Sequence, residues 1–239
     1  MASILNIETA TRVCSVALAK DGNVTAIQES TVKNSHARHI TVFAEQLMYE
    51  VGITFQDLDA IAVSKGPGSY TGLRIGVSTA KGFCYSLDKP LIAIGTLPAM
   101  AFGMIQKMKK EKTFRDDFLF CPMIDARRME VYTAIYNSRL EEIREIKAEV
   151  IDEHSFSEFF SQGKTLVFMG DGAPKCRPVL LPVSGNAVFD DDFQPSAAFM
   201  APLAEEKWQK KQFEDTAYFE PFYLKDFVAG IPHVKGLRD

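Results

Sequence analysis

The sequence predicts an α/β protein made of two lobes, each with a mixed sheet and flanking helices. Three observations carry this. A strand–turn–strand–turn–strand pattern occurs twice: Ile7-Glu8 aligns with Ile124-Asp125, and Ala17-Leu18 aligns with Ala134-Ile135 at the same offset. Each copy is followed by a buried apolar strand that enters a glycine turn and then a helix, "LDAIAVSKGPGSYTGLRIGV" in one half and "KTLVFMGDGAPKCRPVLL" in the other. Between the halves lies the charged stretch Lys107–Asp117, "KMKKEKTFRDD", suited to a linker. Repetition of one strand order is the sequence mark of an internal duplication, with lobes at residues 1–108 and 109–239.

In chain order, Ile4, Leu5 and Ile7 open the first strand, and Val13–Ala19, rich in β-branched and small residues, forms the second. "KDGN" at Lys20–Asn23 is a hairpin turn, because Asp-Gly supplies the positive φ that a tight turn needs. Val24–Ser30 is the third strand. A helix spans about Ser35 to Val51, with Ser35 as its cap and Gly52 as its stop. Another, starting near Gly72 with Thr71 or Ser69 as cap, follows the glycine loop. Leu97–Lys110 closes the first half. In the second half the expected helices are a short one in "HSFSEFFSQG", one after "GDG", and one near Ser196–Gln212 that Pro195 starts and Pro202 delays or kinks.

Bulk composition limits the function classes. Apolar residues make up 46% and charged residues 24%, as in an ordinary soluble globular protein. The formal net charge of −4 disfavours a free-standing nucleic-acid binder, which carries a basic excess, but leaves room for a local basic patch. Cys14, Cys84, Cys121 and Cys176 are far apart and form no CxxC pair, so they read as free thiols of a reducing compartment. "MASILNIETATR" has no basic region and only a short apolar run, unlike a signal peptide. No run reaches membrane-spanning length. A cytoplasmic location is expected.

The loop at Gly66 admits two readings. A P-loop needs Lys and Ser/Thr where Leu73-Arg74 stand, and the dinucleotide fingerprint needs another spacing and no Pro67. What survives is a tight strand–helix turn, or a helix start whose free N–H groups hold an anion. Gly72, Gly76 and Ala80 then recur at every fourth helical position. Each helical glycine costs about 0.5–1 kcal/mol relative to alanine, so the stripe implies a close neighbour. That neighbour is either the lobe's own structure or a docked partner, and the two can coexist.

"GPGSYTGLRIGVSTAKG" resembles the signature of the TsaB (YeaZ) family, and "ILNIETATRVCSVAL", "SHARHITVFAEQLM", "IDARRMEVYTAIY" and "MGDGA" resemble its other segments, so the likeness spans most of the chain. Two positions depart from the family pattern: Glu8 stands where aspartate is usual, and Arg38 where glutamate is common. The resemblance implies the duplicated actin-like, sugar-kinase-like fold. It implies a non-catalytic subunit of the bacterial machinery that makes threonylcarbamoyladenosine in tRNA. Such a subunit supports a TsaD-like paralogue that transfers the threonylcarbamoyl group, alongside a TsaE-like ATPase, and meets tRNA indirectly through the complex. The docking face is expected on the first-lobe helices, at His36, His39, Phe43, Leu47, Gly72, Leu73, Ile75, Gly76, Thr79, Ala80 and Phe83. Without its partner the chain is expected to form a homodimer through that face.

ATP-binding members of the fold use glycine-rich hairpins after both first strands, so that backbone N–H groups reach phosphate oxygens. Here the turns are "ETATRV" and "DARRME", without glycine and with Arg127 and Arg128 in the second. No cofactor is required on this reading. If ATP or ADP does lodge between the lobes, Glu8, Thr9, Asp125, Gly170 and Gly172 are the candidate contacts, and the alternative function is an autonomous ATPase or phosphotransferase. His36 and His39 share a helix face but make only half a metal site, and no nucleophile elbow or activated cysteine is marked. The aromatic tail from Tyr218 onward packs on a lobe or meets a partner.

Overall fold

The computed structural model describes residues 2–32 and 36–225. The expected cap Ser35 and the tail beyond Lys225 lie outside the described residues. In the first lobe, strands β1 (Ser3–Glu8), β2 (Cys14–Lys20) and β3 (Asn23–Ser30) are followed by helix α1 (His36–Val51) and strand β4 (Ala60–Gly66). Helix α2 (Tyr70–Leu87), strand β5 (Leu91–Gly95) and helix α3 (Thr96–Glu111) complete the half. The second half repeats the series with β6 (Leu119–Asp125), β7 (Glu130–Tyr136), β8 (Glu142–Val150), helix α4 (Ser157–Phe160), β9 (Leu166–Met169), helix α5 (Ala173–Leu180) and β10 (Ala187–Asp190). It ends with helix α6 (Ala201–Gln209).

The two five-stranded sheets have equivalent orders, β3-β2-β1-β4-β5 and β8-β7-β6-β9-β10. In each, the first two pairings are antiparallel and the last two parallel. Repetition of order and direction together is the duplicated actin-like architecture. The central strands read as near-continuous apolar runs because helices cover both faces of each sheet, and β1 and β4 are buried almost throughout. Edge strand β3 alternates with water on one side. Asp21 and Gly22 both take positive φ (51° and 74°), as the Asp-Gly hairpin signal requires.

Helix α1 buries Ile40, Ala44, Leu47 and Met48 on one stripe against the first sheet. Pro202 sits in the first turn of α6, and the residues before it form a separate 3-10 turn at Ala197–Phe199, so the proline delays the helix.

Two expectations about packing are corrected. Helix α3 does not simply close the first lobe. Its Leu97, Met100, Met104, Ile105 and Met108 pack with Phe118, Phe120, Ile124 and Val167 of the second, while Ala99 faces the first. Conversely, α6 does not close the second lobe but joins Ala2, Ile4, Ala60, Ile92 and Ile94 of the first sheet. Each half thus lends its last helix across the molecule. The linker is also shorter than expected, because α3 runs on through Lys107–Glu111 and stops at Lys112 in a left-handed conformation. No helix among the described residues is long and apolar enough to cross a membrane.

Candidate functional site

Two regions concentrate the sequence-flagged residues: the α1–α2 layer and the cleft between the lobes. Helix α2 starts as the sequence suggests, with the Ser69 hydroxyl accepting from the Gly72 N–H at 3.3 Å. Its small-residue stripe, however, points inward. A Cβ on Gly72 would stand 2.2 Å from the Thr9 carbonyl oxygen, and one on Gly76 would stand 2.2 Å from Thr9 Oγ1. The neighbour that demanded glycine is the protein's own β1–β2 turn. Gly72 and Gly76 are buried against it, and Leu73 and Ala80 on α2 and Leu47 on α1 are buried too. His36 is a brace for the same turn, its Nε2 lying 3.0 Å from the Thr11 carbonyl and 3.2 Å from that of Val13. These six positions are therefore buried in the first lobe, with His36 and Gly72 at the edge of the cleft.

The other five positions, His39, Phe43, Ile75, Thr79 and Phe83, are half-exposed on the same two helices, with Ile75 also lining the cleft between the lobes. His39 stacks on Phe43 with centroids 4.9 Å apart, and Phe83 stacks on Phe55 at 5.4 Å. Around them stand residues the sequence reading missed. Tyr49 and Tyr85 are each 90% exposed, and Val42 and Val51 are also exposed. Their signal was present: large apolar side chains at helix positions outside the buried stripe.

The cleft encloses about 930 Å³ between the β1–β2 turn, the start of α2 and the β6–β7 turn. Of the five nucleotide candidates, only Asp125 lines it. Glu8 and Thr9 are buried under the first-lobe turn. The Ala10 N–H donates to Glu8 Oε1 at 2.6 Å and the Thr9 N–H to Ser64 Oγ at 3.2 Å. Burial pushes the Glu8 carboxyl up to about 7, against hydrogen bonds from Ala10 and Ser64. Gly170 and Gly172 pack on β6: the Gly172 N–H donates to the Met123 carbonyl at 3.0 Å, and a Cβ on Gly170 would lie 2.5 Å from that same oxygen. They are needed for close strand contact and offer no free face to the cleft, whereas Asp171 between them does line it.

The acidic groups of the cleft are already engaged. Lys175 Nζ meets Asp125 Oδ1, and the Arg127 N–H donates to the same oxygen at 2.9 Å. Burial works against the Asp125 carboxylate, but Lys175, the Arg127 N–H and Arg12 hold it below its ordinary range. Burial pushes Asp171 up, although it accepts the Asp125 N–H at 2.9 Å. Lys225 Nζ reaches both Glu130 carboxylate oxygens, at 2.5 and 2.6 Å.

That last pair ends a strap formed by the C-terminal segment. The Glu214 N–H bonds the Leu91 carbonyl, Lys81 Nζ holds the Ala217 and Phe219 carbonyls, and the Phe222 N–H bonds that of Lys65. Tyr223 packs on Tyr70 with centroids 4.7 Å apart, placing the strap along one wall of the cleft. The described part of the tail therefore packs along the first lobe and reaches the second through the Lys225–Glu130 pair. Arg127 lines the cleft, and both it and the adjacent Arg128 take left-handed backbone, φ 73° and 47°, where ATP-binding hairpins carry glycine. The four cysteines are buried, and burial raises their thiols to about 11 or 12, which makes them poor nucleophiles.

A family model described as TsaD, tRNA N6-adenosine threonylcarbamoyltransferase, matches residues 23–172, and the chain belongs to the wide family it describes. The tRNA threonylcarbamoyladenosine biosynthesis protein TsaB of Escherichia coli is 32% identical over 95% of this chain and 96% of its own. The chain belongs to the TsaB family. YeaZ from Pseudomonas aeruginosa has the same fold, with a TM-score of 0.77 at 23% identity, covering 94% of this chain and all of that one. A tRNA N6-adenosine threonylcarbamoyltransferase of Bacillus thuringiensis is 38% identical over 38% of this chain but only 31% of its own length. A TsaB-family chain thus shares part of its sequence with an enzyme that is larger than itself.

Proposed function

We propose that this TsaB-family chain is a non-catalytic subunit of the machinery that makes N6-threonylcarbamoyladenosine in tRNA. It docks through the outer side of α1 and α2 onto a TsaD-like paralogue, which carries out the transfer. Family membership supports the pathway, and the partial likeness to a threonylcarbamoyltransferase supports a paralogous partner. The observation that carries the docking assignment is the outer aromatic ridge. His39, Phe43, Ile75, Thr79 and Phe83 are half-exposed beside Tyr49 and Tyr85, which project almost fully into water. Aromatic side chains of this kind dominate interface energetics. The first lobe, residues 1–108, carries this face and the second, 109–239, supports it. A TsaE-like ATPase completes the assembly, tRNA is met through the complex, and two copies of the chain pair through the same ridge when the paralogue is absent.

The cleft supports a non-catalytic role. Its turns hold arginines in place of glycines, its Asp125 and Glu130 carboxylates are engaged by Lys175 and Lys225, and the strap forms one wall. The test is capture of the purified TsaD-like paralogue by Tyr49→Ala/Tyr85→Ala and Thr79→Arg variants. Loss of capture at an unchanged melting temperature is expected, and undiminished capture would show that the ridge is not the docking face. The volume of the cleft favours the competing ATPase reading. Submillimolar ATP–magnesium binding with turnover, abolished by Asp125→Asn, would establish that reading instead.

A further inference from the structure

The turn between β6 and β7 spends backbone strain on exposed positive charge. Arg127 and Arg128 are consecutive and exposed, and both lie in the left-handed region that favours glycine. Neither guanidinium makes an ion pair among the described residues. The neighbouring carboxylates are occupied: Asp125 by Lys175 and Glu130 by Lys225. Arg12, from the equivalent turn of the first lobe, lines the same cleft as Arg127 and faces Asp125 and Asp171. In this neighbourhood five cations (Arg12, Arg127, Arg128, Lys175 and Lys225) meet three carboxylates (Asp125, Glu130 and Asp171). This excess stands out on a chain of net charge −4.

The geometry points to the Arg127–Arg128 turn as a contact for the phosphate backbone of RNA. The inference rests on the proposal that the chain works in a tRNA-modifying complex, and it names where this chain touches that substrate. Guanidinium groups bind phosphate with paired, directional hydrogen bonds. A tight turn closed by the Glu130 N–H to the Arg127 carbonyl at 3.1 Å holds the two cations together instead of leaving them on a flexible tail. With both guanidinium groups given to phosphate, the contact is expected to position RNA without reading its sequence.

The test uses the full chain, alone and premixed with the TsaD-like paralogue, titrated with fluorescent tRNA across a salt series. Arg127→Gly/Arg128→Gly suits the left-handed backbone, so the variant should melt no lower than wild type and its effect reads charge alone. Each lost phosphate contact should flatten the plot of log K against log salt by about 0.7–0.9. The pair is therefore expected to flatten it by about 1.5 and to weaken binding about tenfold at low salt. Arg127→Lys/Arg128→Lys should restore the slope, and inorganic phosphate at matched ionic strength should not displace the tRNA. An unchanged slope and affinity in the glycine variant overturns the inference. So does loss of paralogue capture with RNA binding intact, which would assign the turn to a protein contact. Failure to assemble with the paralogue would count against the docking proposal alone, because the titration of the chain by itself reads the arginines independently.

Discussion

Substituting Gly72 with alanine tests whether α2 is fastened to the β1–β2 turn. The added Cβ would lie 2.2 Å from the Thr9 carbonyl oxygen. An ordinary carbon–oxygen contact is about 3.3–3.6 Å, so helix and turn must separate by roughly 1 Å. The obstacle is backbone, which cannot rotate away as a flexible side-chain end would. Overpacking of this kind costs about 1–3 kcal/mol, and a buried carbonyl belongs at the upper end of that range. Alanine returns about 0.5–1 kcal/mol of helix propensity. The net loss is then about 2 kcal/mol, which for a chain of this size lowers the melting temperature by about 4–8 °C. Gly82 on the same helix is the control: it is exposed and nothing lies within 4 Å of its would-be Cβ. Gly82→Ala should melt about 1–4 °C higher by propensity alone. Thermal unfolding followed by far-UV circular dichroism reads both variants. A Gly72→Ala protein that melts with or above wild type would refute the packing argument. The same geometry means that a bulky residue at Gly72 or Gly76 reports folding and says nothing about docking.

The buried Glu8 carboxyl makes stability depend on pH. Its ordinary value of 4.5 is raised to about 7 by burial, so the folded chain holds a proton that the unfolded chain gives up, and stability falls as pH rises between those values. At about 1.4 kcal/mol per unit the loss approaches roughly 3 kcal/mol above pH 7. Glu8→Gln keeps an acceptor for the Ala10 N–H but carries no titrating proton. Its urea midpoint should change less between pH 5 and 8 than that of wild type, and parallel curves would contradict the assignment. Arg144 lies 2.8 Å from Glu149, 3.5 Å from Glu158 and over the Phe156 ring at 4.5 Å, with its side chain 14% exposed. Arg144→Ala leaves the mostly buried Glu149 with only the more exposed Lys147, 3.1 Å away, and removes the cation over Phe156, so it should cost about 1–3 kcal/mol in denaturant unfolding, whereas loss of an exposed pair would cost under about 1 kcal/mol.

Much of the architecture was legible in the residues. The two strand patterns at one offset became sheets of equivalent order, the Asp-Gly turn closed β2 onto β3, and Ser69 capped α2. These features follow from periodicity and from turn and cap chemistry, which act over a few residues and so are written locally. The stripe at Gly72, Gly76 and Ala80 announced a close neighbour but not which one. Only the tertiary arrangement put Thr9 there, sending the stripe inward and leaving Ile75, Thr79, Phe83 and Tyr85 outside. Likewise, α3 and α6 each carry an apolar stripe that either sheet could cover, and the choice depends on where the whole chain places those sheets. The Arg127–Arg128 backbone and the strap from Glu214 to Lys225 were equally hidden, because a left-handed turn of arginines and a segment lying across a distant strand have no periodic signature. Local sequence determined the elements and which side of each is apolar; contacts between residues far apart in the chain decided what each apolar side touches, and with it which surface is left for a partner.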